Sequence, residues 1–124
     1  MSDKIKKIDI IISPGKFEDL RESLHEIGIT GMTVSKVLGC GMQKGRMEYY
    51  RGNTVHTNLL HKLKVVIVVC ETDMDAVIRT ARKVLCTGEA GDGKIFVYDV
   101  ANVIRISNGA EGIDALRYKN RICV

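Results

Sequence analysis

The order of hydrophobic patterns along the chain constrains its fold more than any other feature. The segment "KIKKIDIIIS" alternates and sets Ile8, Ile10 and Ile12 on one face, the period of two expected of a strand. Ser13 followed by Pro14 offers an N-cap and a proline at the first helical position. Phe17, Leu20, Leu24 and Ile27 come next at helical spacing, and Gly28 stands where a left-handed C-terminal residue belongs. "MTVSKVLG", Met32 to Gly39, alternates again and reads as a second strand. "LKVVIVV", Leu63 to Val69, is rich in β-branched residues and reads as a buried third. Thr72 with Asp75 resembles a capping box, Val77, Ile78, Ala81, Val84 and Leu85 mark one helix face, and Gly88 closes it. A last main strand is predicted from Lys94 to about Ile106, with an interruption near Asp99 to Asn102.

The order is strand, helix, strand, and then the same again. Two such halves side by side predict an α+β, ferredoxin-like domain (βαββαβ): a four-stranded antiparallel sheet with both helices on one face. The domain takes in residues 1–106, and 107–124 form a tail that reads as a frayed terminus with a short helix around Ala115 to Lys119. The second face of the sheet carries Ile, Val and Leu with no helix left to cover it, so a homo-oligomer is expected. Between the halves, Gly39 to Lys62 includes about twenty residues without either period, a length that usually means a functional loop.

With 27% charged residues the chain is globular rather than disordered, and no apolar run reaches the length of a membrane span. The amino-terminal charge-then-apolar pattern is interrupted by Asp9 and ends at Ser13-Pro14 without a cleavage site, so it reads as an internal strand of a soluble cytoplasmic protein. Cys40, Cys70, Cys86 and Cys123 are widely spread and read as free thiols. His56 and His61 lie in the long loop and read as solvated rather than metal-bound. The net charge of +4 suits phosphate-bearing ligands, although ordinary surface charge accounts for it equally well.

Chemistry concentrates in "TGEAGDGKIFVYDV", Thr87 to Val100. Gly91-Asp92-Gly93-Lys94 has the parts of a phosphate cradle: glycines that let backbone N–H groups approach an anion, and a cation beside them. A plain turn before a strand draws on the same residues. A second glycine cluster, Gly39-Cys40-Gly41, ends the second strand just before the long loop, and the two clusters could hold one nucleotide between them.

From about Lys4 to Ile106 the chain resembles the PII family of nitrogen-signalling proteins. Thr87 followed by Gly91-Asp92-Gly93-Lys94-Ile95-Phe96-Val97 looks like the family's C-terminal signature. "GITGMTVSKVLGCGMQKG" and "YRG" look like its second strand and the start of its mobile T-loop, here about 41–60. The resemblance implies a homotrimer that binds ATP or ADP, with AMP as a further candidate, in clefts between subunits. It implies a regulator rather than an enzyme. The T-loop would dock on a target such as an ammonium channel or a metabolic enzyme, and 2-oxoglutarate would bind together with Mg²⁺ and ATP. By the same resemblance Thr33 and the backbone of Val68 meet the adenine. Ile11, Gly39, Cys40, Gly41 and Met42 line the pocket, and Gly91, Asp92, Gly93, Lys94 and Arg105 surround the ribose and phosphates. Gln43 would reach Mg²⁺ through its amide oxygen, and Lys62 would pair with a 2-oxoglutarate carboxylate beside the N–H groups of Gln43, Lys44 and Gly45.

The sequence departs from the family pattern at several positions. The tyrosine that proteobacterial members have nucleotidylated falls at Val55, and the serine phosphorylated in cyanobacterial members falls at Gly52 or Asn53, so no covalent control of this loop is expected. Met42 and Ser107 replace arginines that help neutralise the outer phosphates, which predicts a site favouring ADP or AMP relative to the usual balance. Val66 replaces an acid on the third strand and His61 a proline before Lys62. Two other classes fit the topology less well. An acylphosphatase-like hydrolase wants an arginine in an early phosphate loop, where Ser13-Pro14-Gly15 has none; an RNA-recognition module wants paired strand aromatics, and the chain is only 5% aromatic. A paralogue serving a specialised operon or microcompartment remains an alternative within the family.

Overall fold

A computed structural model describes residues 4–40, 48–50, 53–55 and 59–117. The first strand, β1 (Ile5–Ile12), runs into a 3-10 turn, Pro14–Lys16, and then α1 (Phe17–Glu26). Next come β2 (Thr33–Gly39), a small hairpin of β3 (Glu48–Tyr50) and β4 (Asn53–Val55), and the long strand β5 (Leu60–Cys70). The helix α2 (Glu71–Leu85), β6 (Lys94–Val100) and a single turn of helix, α3 (Ile113–Leu116), complete the described chain.

The four long strands form one antiparallel sheet in the order β2-β5-β1-β6. This is the ferredoxin-like arrangement that the repeated pattern predicts. Ile8, Ile10 and Ile12 of β1 and Val65, Ile67 and Val69 of β5 form one side of the core, against Leu20 and Leu24 of α1 and Val77, Ala81 and Leu85 of α2. Burying each larger aliphatic side chain contributes about 1.5–3 kcal/mol. The acids Glu71 and Asp73 at the start of α2 and the cations Arg82 and Lys83 at its end suit the helix dipole.

Four local expectations need correction. The helix α2 begins at Glu71 with Cys70 as its N-cap, because the Glu71 N–H donates to the Lys4 carbonyl (2.9 Å); Thr72 is already inside the first turn and does not cap. The last strand stops at Val100, within the interruption expected near Asp99 to Asn102, and does not resume as a strand toward Ile106. Asn102 ends it: its carbonyl oxygen accepts from the N–H groups of Val103 (2.8 Å) and Gly112 (3.1 Å), and its amide donates to Glu111 (2.8 Å). A side chain that occupies the backbone in this way competes with the strand ladder. The segment without periodicity contains the β3–β4 hairpin, and β5 starts at Leu60, three residues before the apolar run.

The open sheet face is the fourth. It carries Ile11, Val66 and Val68, as expected, but its centre is charged. Asp9, only 2% exposed, lies between the ammonium groups of Lys7 and Lys64, each 3.6 Å from one of its oxygens. Lys7 also sits 4.9 Å from the centre of the Tyr98 ring, a cation–π distance. Both edge strands leave apolar side chains exposed, among them Leu38 on β2 and Phe96, Val97 and Tyr98 on β6. No helix among the described residues is long and apolar enough to cross a membrane.

Candidate functional site

The glycine-rich turn lies against the end of β1. Gly93 has φ +101° and ψ −170°, a conformation that glycine alone adopts readily. A Cβ placed on it would lie 1.9 Å from the Ile11 carbonyl oxygen. The turn can therefore touch the β1 backbone only because position 93 has no side chain. Asp92, immediately before it, fastens the turn from within. Its carboxylate accepts from the Thr87 N–H (2.8 Å), the Gly88 N–H (3.0 Å) and the Thr87 hydroxyl. Those bonds, the Thr87 hydroxyl first, hold its pKa below the usual carboxylate value. Asp92 thus shapes the loop, while Lys94, exposed and paired with Ile11, carries the free charge of the motif.

Ile11, Asp92, Gly93 and Lys94 line one cavity of about 190 Å³ at this end of the sheet. Gly39 and Lys62 lie at the same end. A Cβ on Gly39 would meet the Lys62 side chain at 3.3 Å, and the Lys62 ammonium donates to the Ser13 hydroxyl at 3.3 Å. Cys40 is exposed beside them. Gly91 ends up in the same turn, within the 3-10 segment Ala90–Asp92.

Thr33 and Val68 are elsewhere. They line an open cleft of about 690 Å³ together with Gly31, Val66, Ala115 and Arg117. Ile11 pairs with Lys64, and Val68 is four residues further along β5, so the two levels are about 13 Å apart at roughly 3.3 Å per residue. The cavities share no lining residue. Arg105 belongs with the Thr33 end. One of its terminal nitrogens, Nη2, donates to the carbonyls of Ala115 (2.8 Å) and Arg117 (2.5 Å), with Asp114 at 3.4 Å.

The residues singled out in the sequence therefore gather into two groups at opposite ends of one sheet. Gly41, Met42, Gln43, Lys44 and Gly45 lie outside the described residues, so the expected Mg²⁺ and 2-oxoglutarate contacts around Gln43 do too. No cluster of metal-ligating side chains occurs among the described residues. Sequence reasoning missed the part that Ala115, Leu116 and Arg117 play in the larger cleft. The short helix expected near them was the only available signal.

The chain is similar to known proteins over most of its length. The model of the family "Nitrogen regulatory protein P-II" matches residues 5–110. A nitrogen regulatory PII-like protein of Bacillus subtilis (strain 168) is 47% identical over 116 residues, covering 94% of this chain and all of that protein. Nitrogen regulatory protein P-II 1 of Escherichia coli (strain K12) is 54% identical over 111 residues, 86% of this chain and 96% of its own. Among solved structures, the B. subtilis GlnK-ATP complex superposes with a TM-score of 0.77 at 43% identity, covering 93% of this chain and 98% of that one.

Proposed function

The chain belongs to the nitrogen regulatory protein P-II family, and from that premise we propose that it is a regulator that binds adenine nucleotides in clefts between the copies of a homotrimer. The division of the binding residues carries this reading. The Gly93–Lys94 turn and the Thr33–Val68 cleft lie at opposite ends of the sheet, and each is open on its own. A second copy that brings its turn to the first copy's cleft completes a site that can take the base at one end and phosphates at the other. The apolar side chains left exposed on both edge strands suit such packing. A 43% identical structural neighbour was solved with ATP, which fits the same ligand class.

The phosphate preference follows from the charges present. Lys94 stands on the turn and Arg105 beside the cleft, and Met42 and Ser107 supply no cation where the family pattern has arginine. A hydrogen bond to a charged group contributes about 1.5–3 kcal/mol. The outer phosphates lose most by the missing pair, so the balance shifts toward ADP or AMP. Lys62, beside Gly39, is the residue for a 2-oxoglutarate carboxylate, with Gln43 as the amide that would reach Mg²⁺. The loop 41–60 would report the bound ligand to a target protein, an ammonium channel or a metabolic enzyme. Val55 at the nucleotidylated position removes the tyrosine needed for covalent control there.

Titration calorimetry with ATP, ADP and AMP tests the reading. Saturable heat with adenylates, ADP at least as tight as ATP, is the expected outcome. A sample that binds none of the three overturns the nucleotide assignment, and ATP several-fold tighter than ADP overturns the preference alone.

A further inference from the structure

Two lysines of the open sheet face, Lys7 and Lys64, have a carboxylate between them in Asp9. Lys62 stands two residues before Lys64 on β5 and so on the same face, but no acid among the described residues pairs with it. Its ammonium is half-buried and has one hydrogen-bond partner among the described residues, the Ser13 hydroxyl at 3.3 Å. A neutral hydroxyl at that distance returns little of the hydration that a partly buried charge gives up, so the position is short of an anion.

Ser13 reaches Lys62 because the strand register brings it there. The last pair of β1 and β5 is Ile12 with Leu63, and one more step sets Ser13 opposite Lys62. Ser13 is also the N-cap of the 3-10 turn, yet its side chain makes no capping bond. Its hydroxyl accepts from Lys62, and its own hydrogen has no acceptor among the described residues. The lysine stem is fixed as well: it passes so near Gly39 that a Cβ there would meet its Cγ at 3.3 Å. An ammonium and a hydroxyl hydrogen therefore stand side by side, both able to donate to one anion.

We propose that Ser13 and Lys62 together form a two-donor seat for a carboxylate group, in which Ser13 both holds the ammonium and donates its own hydrogen to the ligand. This rests on the reading of Lys62 above as the partner of a 2-oxoglutarate carboxylate, and it adds a second residue to that contact. A carboxylate has two acceptor oxygens, so it can take one donor on each, and both bonds are charge-assisted. Holding the lysine beforehand helps too, because a side chain that is already ordered loses less rotamer entropy when the ligand arrives.

Ser13→Ala tests this and spares the turn, since the bond from the Lys16 N–H goes to the Ser13 backbone carbonyl (3.0 Å). In the full chain with Mg²⁺ and ATP present, calorimetry should find 2-oxoglutarate bound about tenfold more weakly by Ser13→Ala, the size expected for one lost bond to a charged group. The loss should exceed any change in the affinity for ATP alone. Ser13→Thr, which keeps a hydroxyl, should restore most of the 2-oxoglutarate affinity. Three results overturn the role of the hydroxyl and leave Lys62 standing: unchanged 2-oxoglutarate affinity in Ser13→Ala, a loss no greater than that for ATP alone, or Ser13→Thr as weak as Ser13→Ala. No heat from 2-oxoglutarate on the unaltered chain, or heat that persists in Lys62→Ala, overturns the reading of Lys62 and this one with it.

Discussion

Replacing Gly93 by alanine should cost far more than one methyl group suggests. Two penalties coincide at this position. The backbone, at φ +101° and ψ −170°, lies in a region that only glycine populates freely, and holding another residue there costs about 1–3 kcal/mol. The new Cβ would also lie 1.9 Å from the Ile11 carbonyl oxygen, where real contacts stay beyond 3.0 Å. That neighbour is backbone in the middle of the sheet and cannot rotate away, so the turn must lift from β1 and the Ile11–Lys94 pairing is lost. A total of about 3 kcal/mol is expected, including strain relief by displacement. Gly88→Ala is the matched control. It too has positive φ, +86°, but a Cβ there meets nothing within 4 Å, so only the conformational cost of about 1 kcal/mol applies. Urea unfolding at one fixed protein concentration measures both, so that any dependence of stability on assembly is held constant. If Gly93→Ala is no more destabilising than Gly88→Ala, the close approach is not what makes glycine necessary there.

Other consequences are simpler to state. Leu24→Ala removes a fully buried side chain between the helices and the sheet, and should lower unfolding stability by about 2–5 kcal/mol by the same urea assay; a loss below 1 kcal/mol would contradict the packing. Asp92 has a folded-state pKa depressed chiefly by the Thr87 hydroxyl, so its contribution is fully present above the ordinary carboxylate value and is lost as pH falls through the lower folded one. Acid titration followed by NMR should show the Thr87 and Gly88 amides losing their hydrogen-bonded shifts in that window, and Asp92→Ala should show no such transition. Lys62→Ala should abolish any heat from 2-oxoglutarate added with Mg²⁺ and ATP, whereas an unchanged heat would remove Lys62 from that role.

The parts of the fold that were legible are those written as periods. Ile8, Ile10 and Ile12 alternate because one face of β1 meets two helices, and Val77, Ala81 and Leu85 repeat because one stripe of α2 meets the sheet. The end of β6 was legible as an interruption near Asp99 to Asn102, but its cause was not, because Asn102 acts by bonding to its neighbours' backbone, and one side chain makes no period. Asp9 looked like an interruption of an apolar run. Only the strand register, which brings Lys64 alongside it, shows how its charge is met. At the site, glycine and lysine at positions 93 and 94 were read correctly as a turn bearing a cation. That Asp92 closes the turn on Thr87 instead of facing outward depends on a loop conformation that composition does not encode. The Arg105 contacts were out of reach altogether, since their acceptors are backbone carbonyls, which every residue has.

Shared sites between copies can be tested by complementation. Lys94→Glu damages the turn half and Thr33→Trp blocks the cleft half, both at exposed positions. Each variant alone should bind ATP and ADP poorly. Co-expressed in equal amounts, they should form mixed trimers in which about a quarter of the sites join two intact halves, as follows for head-to-tail interfaces assembled at random. Calorimetry that finds this fraction bound with the affinity of the unaltered protein is the predicted result. Mixed assemblies with no recovered binding would mean that both halves must come from one chain, which contradicts the account.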